Sequence, residues 1–184
     1  MPEIGDLEKL LQKYFPEQLS EVQIKQFKTA FTGWQDWNSK VNLISRKDME
    51  NLAERHILHS LSIAKVAKFE AGMRILDVGT GGGFPGIPLA ILFPEAEFHL
   101  VDSIGKKIKV VQDIVQQCGL TNVHPAIQRA ELVDGKFDYI ISRAVTSFDK
   151  FIPWVKKKVI CGKRIQPAPG ILYLRGGNPE EELA

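Results

Sequence analysis

Only two cysteines occur in the 184 residues, and neither Cys118 nor Cys161 has a CxxC partner or histidines at ligand spacing. Disulfides and a zinc site are therefore excluded as organising devices, and two reduced thiols are expected. Long apolar runs are missing too. The longest, 87–93, is interrupted by Pro88 and falls far short of the ~20 residues a membrane helix needs, so no membrane association is expected. The opening stretch, MPEIGDLEKLLQKYF, has early acids and no basic segment leading into an apolar one; it reads as an amphipathic helix and not a signal peptide, which points to a cytoplasmic protein. A marked excess of either charge is missing as well. The net charge is +2, no nucleic-acid footprint by itself. Internal repeats and low-complexity segments are absent. What is there, 44% hydrophobic and 25% charged residues, is the composition of one ordinary domain with a short appendage.

Within that near-neutral balance the charge is unevenly placed. Acids and bases cancel up to Glu70, and the basic excess gathers at Lys106, Lys107, Lys109 and at Lys156, Lys157, Lys158, Lys163, Arg164. The chain also changes period at about the same point. Before Gly72 the pattern is helical: Leu7, Leu10, Leu11 and Tyr14 share one face, and Ser20 with Gln23 three residues on predicts a capping box opening a second helix. That helix would bury Phe27, Phe31, Trp34, Trp37 and Val41. A third helix is expected from about Asp48 to Phe69. After Gly72, the runs MRILDVG, AEFHLVDS, NVHPAIQR, FDYIISRA and GILYLRGG alternate with the helix-like segments FPGIPLAILF and IGKKIKVVQDIVQQCGL. Alternation at this interval predicts an α/β fold, Rossmann-like, with a largely parallel sheet covered by helices on both faces. The breakers in CGKRIQPAPG mark it as the expected mobile loop. Two regions follow, a helical extension or lid over 1–70 and a sheet-bearing core over 71–184.

The segment RILDVGTGGGFPGIPLAI carries the chemistry. A glycine-rich turn after the first strand lets backbone approach a ligand, a device shared by dinucleotides and S-adenosylmethionine. The literal dinucleotide pattern GxGxxG occurs at Gly81, Gly83 and Gly86, one turn late; in the natural register, Gly79 and Gly81 are followed by Phe84, and the pattern fails. Charge decides between the two ligands. Asp77 ends the strand two residues before Gly79, and Pro85 and Pro88 remove amide donors where a pyrophosphate needs them. An acid-lined, donor-poor loop of the form D-x-G-x-G-x-G at Asp77, Gly79, Gly81 and Gly83 favours S-adenosylmethionine, with its ammonium and sulfonium, over NAD with its phosphates. Asp102, ending the second strand, is placed to accept ribose hydroxyls under either reading.

At this point the residues resemble a known family. The stretches DVGTGGGFPGIPLAI, LVDSIGKK, RAE (129–131), FDYIISRA (137–144) and LRGG (174–177), preceded by WNSKVNLIS and ERHILHSL, are similar to the bacterial guanine-N7 methyltransferases of 16S ribosomal RNA, the RsmG type, also called the glucose-inhibited division protein B family. The likeness runs from about Trp34 to the end. It implies a methyltransferase fold in which Gly79 and Phe84 contact the cofactor, Ala130 and Glu131 lie beside its adenosine portion and Arg143 closes the site. His59 stands where many members carry aspartate. The chain stops shortly after its fifth strand, where the family fold continues through another helix and strand pair, so the core is expected to lack those last strands.

The implied chemistry agrees with the residues. Guanine N7 has an available lone pair, so methyl transfer to it needs no general base, and the sequence offers no evident acid or base. The polar-Pro-Pro-aromatic motif that serves exocyclic amines is replaced by SRAV, and neither cysteine has the context of a pyrimidine-C5 nucleophile. Arg143 is then a positioning group, suited to a carboxylate or phosphate by its planar fork. Asn42, Arg55, His56, Lys106 and Lys107 are the candidates for RNA contact. Trp34 and Trp37 read as core, and the His56–His59 pair lacks a third metal ligand. The expected partner of this monomer is 16S rRNA within the small ribosomal subunit or an assembly intermediate. A small-molecule methyltransferase, an RNA-binding assembly factor without turnover and an NAD-dependent oxidoreductase are the alternatives.

Overall fold

The five β-prone runs become one parallel sheet. In the computed structural model, which describes residues 4–16, 19–41, 43–160 and 168–175, the strands are β1 (Arg74–Val78), β2 (Glu97–Asp102), β3 (Val123–Ile127), β4 (Tyr139–Arg143) and β5 (Gly170–Leu174). Their order is β3-β2-β1-β4-β5, with every pairing parallel. The chain steps outward from β1 through β2 to β3 and then returns to the other side of β1 with β4. Strand order thus reverses between β1 and β4, and the loops leaving their carboxyl ends diverge to open a crevice there.

Helices cover both faces, although β3 and β4 are joined through no helix longer than the 3-10 turn Ala130–Leu132. Before the sheet come α1 (Ile4–Tyr14), α2 (Glu21–Lys40), α3 (Arg46–Met49) and α4 (His59–Leu61); α5 (Gly86–Leu92), α6 (Gly105–Cys118) and α7 (Phe148–Val155) follow β1, β2 and β4. The α2 capping box forms as its sequence predicts: the Gln23 amide donates to Ser20 Oγ, and the Ser20 amide donates to Gln23 Oε1. On one sheet face Ile75, Phe98, Leu100 and Ile141 share a core with Leu7, Phe27, Phe31, Trp34, Leu52 and Leu61, so the helices ahead of β1 are packed into the same apolar body as the strands. On the other face Leu76, Val78 and Ile140 pack with Phe137, Phe151 and Val155. Asn122 ties the layers together, its Nδ2 donating to the carbonyls of Ala90, Phe93 and Ala96 at 3.0–3.2 Å.

Two elements differ from expectation. The single helix read over 48–69 is instead α3, a π-helix at Leu52–Leu58, α4 and a 3-10 turn at Ser62–Lys65. Widening a helix by one residue per turn keeps much of the apolar face buried while rotating individual side chains, a change periodicity cannot register. The second is α7, absent from the sequence reading because eight residues containing Pro153 give little helical signal. Of the loop CGKRIQPAPG, residues 161–167 lie outside the described residues. Among the described residues no helix is long and apolar enough to cross a membrane.

Candidate functional site

The crevice at the strand reversal is a cavity of about 410 Å³, within the range that encloses a small ligand. Its floor is the loop after β1. Gly79 there has a φ of +67°, and a Cβ on it would collide with Val145 Cγ2, so the residue is fixed as glycine both by backbone and by the neighbouring loop. Gly86 serves another purpose: a Cβ would sit 2.6 Å from Asp77 Oδ2 and 2.8 Å from Leu100, so its bareness lets α5 rest directly on the sheet.

Loop amides are already engaged. Gly79 and Thr80 donate to the Val101 carbonyl at 2.8 and 3.1 Å, Gly83 and Phe84 to the Thr80 carbonyl at 2.9 Å each, and Gly81 to Asp102 Oδ2 at 3.1 Å. Pro85 has no amide to give. A pyrophosphate would find its usual donors turned to the protein's own acceptors, which argues against the dinucleotide reading. The acids, by contrast, are present. Asp102, 7% exposed, lines the cavity while accepting from Gly81 and from the Ile104 amide at 2.9 Å, and a carboxylate retains lone pairs for further donors. Glu131 lies exposed on the rim beside Ala130.

Asp77 is the main correction. It was expected to face the ligand, yet it is fully buried and does not line the cavity. Strand alternation is the reason: Ile75 and Asp77 point to the face covered by α2, α5 and α6, Leu76 and Val78 to the face covered by α7. Asp77 Oδ2 accepts from Thr80 Oγ1 at 2.6 Å and from the Gly86 amide at 2.9 Å, clamping the start of the loop to the start of α5. Oδ1 has no partner among the described residues. Burial raises its pKa to about 7, against the opposing pull of Thr80, Gly86 and the Arg143 charge. Gly83 is likewise outside the lining; with φ +99° it turns the chain back into α5, and Gly82 takes its place at the cavity.

The opposite wall is made of side chains from distant segments. Arg143, at the end of β4, lies over the Phe84 ring at 5.0 Å and donates to His56 Nδ1 at 2.9 Å and to the Arg55 carbonyl at 3.4 Å. Desolvation and the Arg143 charge hold the His56 pKa at about 4, so at neutral pH the imidazole is the uncharged acceptor this bond requires. Phe84 stacks on Trp34 at 4.3 Å, and Trp34 Nε1 donates to the Gly82 carbonyl at 2.7 Å. Trp34 is fully buried, as its place on the apolar face predicts. Beyond Arg143, Ala144 has a φ of +50°, and the loop it opens is fastened by Tyr173 on β5: the hydroxyl accepts from the Val145 and Thr146 amides at 3.1 Å each and donates to the Thr146 carbonyl at 2.6 Å.

The structure therefore brings Gly79, Gly81, Phe84, Asp102, Ala130, Glu131, Arg143, His56 and Lys107 to one cavity. Lys106 stands outside it, and the Arg55 side chain is turned to Asp48 at 2.9 Å. Asn42 lies outside the described residues. Sequence reading missed Val145, Tyr173 and Trp154, of which Val145 and Trp154 line the cavity. Val145 had the signal of following the end of β4, whereas Trp154, at the end of α7, and Tyr173, within β5, had none that is local.

A doubly wound parallel sheet with a ligand crevice where strand order reverses is a Rossmann-like fold, and this glycine loop with its carboxylates defines the methyltransferase variety. The solved fibrillarin/Nop5p complex has the same fold, with a TM-score of 0.50 and 18% identity over 66% of this chain and 63% of that one. Residues 23–184 match the family model GidB, rRNA small subunit methyltransferase G. Ribosomal RNA small subunit methyltransferase G of Flavobacterium johnsoniae is 56% identical over 171 residues, 93% of this chain and 81% of that one. Its namesake from Cytophaga hutchinsonii is 52% identical over 174 residues, 95% of this chain and 84% of that one. The chain belongs to the GidB family.

Proposed function

We propose that this protein transfers a methyl group from S-adenosylmethionine to N7 of a guanosine in 16S ribosomal RNA, in the cytoplasm, on the small subunit or an assembly intermediate. The observation that carries the cofactor assignment is the loop after β1, whose amides at Gly79, Thr80, Gly81, Gly83 and Phe84 are bonded within the protein while Glu131 offers a carboxylate at the cavity; Asp102 suits the ribose of either cofactor. Family membership supports the acceptor.

The donor set fits the cofactor. Asp102 would hold the ribose hydroxyls, Ala130 and Glu131 would flank the adenine, Gly79 with Gly81 would admit the methionine portion, and Arg143, which lines the same cavity, would meet its carboxylate or an RNA phosphate. When bound, S-adenosylmethionine supplies an electrophilic methyl on a sulfonium, which becomes a neutral thioether. The chain's residues then have a positioning task, because N7 needs no proton removed. His56, neutral and spent on Arg143, is not required as a base. Phe84 and Trp34 stiffen the wall, and the helices before β1 would act as the lid over the site.

The test is incubation with labelled cofactor and small subunits from cells lacking this gene, followed by nucleoside analysis. Label in 7-methylguanosine, lost in Gly79→Ala and Arg143→Ala, is expected. Label in another nucleoside overturns the acceptor, and label transfer that ignores RNA favours a small-molecule substrate.

A further inference from the structure

Beside the crevice lies a second cavity, of about 380 Å³, between the end of α2 and the start of α6. It is lined by Lys40, Val41, Leu43, Ile104, Lys106 and Lys107, and it shares Leu43 and Lys107 with the crevice. The two cavities are therefore neighbours across a common wall. Among the described residues ammonium groups furnish its charge, and no carboxylate lines it. Its floor is aliphatic, made by Val41, Leu43 and Ile104, the last 48% exposed.

Chemistry and position together select an occupant. Lys106 has no ion pair among the described residues, Lys107 has only a 3.8 Å contact to Asp102, and Lys40 rests over the Trp37 ring at 5.2 Å. On the opposite rim of the crevice Arg129 reaches Glu131 at 4.0 Å, and nearby Lys158, outside the cavity lining, donates from Nζ to the carbonyls of Val133 and Glu131. Among the described residues Lys40 and Lys106 thus have no carboxylate partner and are available for an incoming polyanion, whereas Lys107 and, on the other rim, Arg129 each have one loose carboxylate contact. We infer that the cleft between Lys40 and Lys106 holds the nucleotide adjoining the target guanosine, its phosphates on the lysines and its base on Leu43 and Ile104. RNA then enters across α2 and α6, and recognition extends one residue beyond the methylated base. This rests on the reading of the protein as an RNA methyltransferase.

The experiment compares wild type with Lys40→Gln/Lys106→Gln, and with Lys9→Gln on α1 as an exposed-lysine control. Cofactor affinity by calorimetry, KM and kcat on unmethylated small subunits, and the salt dependence of RNA binding are measured for each, with thermal melting to confirm folding. The double variant should keep its cofactor affinity and kcat, raise KM roughly tenfold at moderate salt, and lose about 0.7 of log–log salt slope per phosphate contact removed. A second variant, Ile104→Ser, should raise KM severalfold with the salt slope unchanged. A double variant indistinguishable from Lys9→Gln in KM and salt slope overturns the inference while leaving methylation intact. Wild type that neither binds nor methylates RNA overturns both it and the activity beneath it.

Discussion

The two walls of the crevice are built on opposite plans. The wall after β1 is backbone: glycines at left-handed φ, amides bonded to neighbouring carbonyls, and a buried carboxylate locking loop to helix. The wall after β4 is side chain: Arg143 held by His56 from a π-helix 87 residues earlier, and its loop held by Tyr173 from β5. A backbone wall is written largely in one short stretch, since its glycines, Pro85 and the Asp77–Thr80–Gly86 clamp lie within a dozen positions, and only its anchors at Val101, Asp102 and Trp34 come from elsewhere. A side-chain wall is a tertiary one. The first is stiff and intolerant of change; the second is adjustable, and its faults should appear in turnover before they appear in folding.

The most damaging test of the backbone wall is Gly79→Ala. Left-handed φ costs an alanine about 1–3 kcal/mol, and the collision with Val145 adds overpacking of about 1–3 kcal/mol. Cofactor affinity by calorimetry should fall at least a hundredfold with the circular dichroism spectrum retained. Adding Val145→Ala should recover the steric part and none of the backbone part. Full recovery would mean that the loop's conformation is not what binds the cofactor.

Asp77→Asn sharpens the same wall by removing its charge while keeping an oxygen for Thr80 and Gly86. Because the folded pKa is raised to about 7, the folded state holds its proton where the unfolded state has lost it. The aspartate's contribution is complete below the unfolded value, near 4, and is lost as pH rises through the folded one. Relative to Asp77→Asn, wild-type stability should decline by about 2 kcal/mol between pH 5 and pH 8, read by denaturant unfolding. A flat difference would show the carboxyl ionised throughout.

The side-chain wall is probed by Tyr173→Phe, which leaves the Val145 and Thr146 amides and the Thr146 carbonyl without their shared partner. Partial rescue by water should limit the loss to about 1–2 kcal/mol. It should appear as a lower kcat with cofactor affinity changed less than threefold, the reverse of the Gly79 pattern.

This contrast also explains what was legible in the sequence. All five strands were, because each is a short β-prone run between breakers, and so was the α2 cap, whose signal spans four residues. Glycine spacing located the crevice. The same reading placed Asp77 in it, because strand ends were counted without the parity of alternation; one residue's shift of face moved a ligand contact into the layer beneath. Nothing local could reveal Tyr173, which matters only because β5 lies beside β4. Nor could periodicity detect the π-helix that brings His56 to Arg143.

The smallest effect expected, and the one that most finely separates the walls, is at His56. Its hydrogen bond to Arg143 is one among several restraints on the guanidinium, which also has the Phe84 ring and the Arg55 carbonyl. His56→Asn should stay within about twofold of wild type, since the amide oxygen can stand where Nδ1 accepts; His56→Ala should lose about three- to tenfold in kcat/KM, the worth of one hydrogen bond. The pH profile tells this apart from lost packing. With a folded pKa lowered to about 4, the imidazole is neutral from pH 6 upward and the bond is intact. As pH falls from 6.5 toward 4 the unfolded chain takes up the proton first, so stability is lost over that interval. Approaching pH 4, a charged ring would face Arg143 and the contact would break. His56→Asn should therefore lack the acid-side fall in stability that wild type shows, while His56→Ala lacks it too but is already slow at neutral pH. If the asparagine is as slow as the alanine, bulk against Phe84 and not the bond to Arg143 is what the histidine provides.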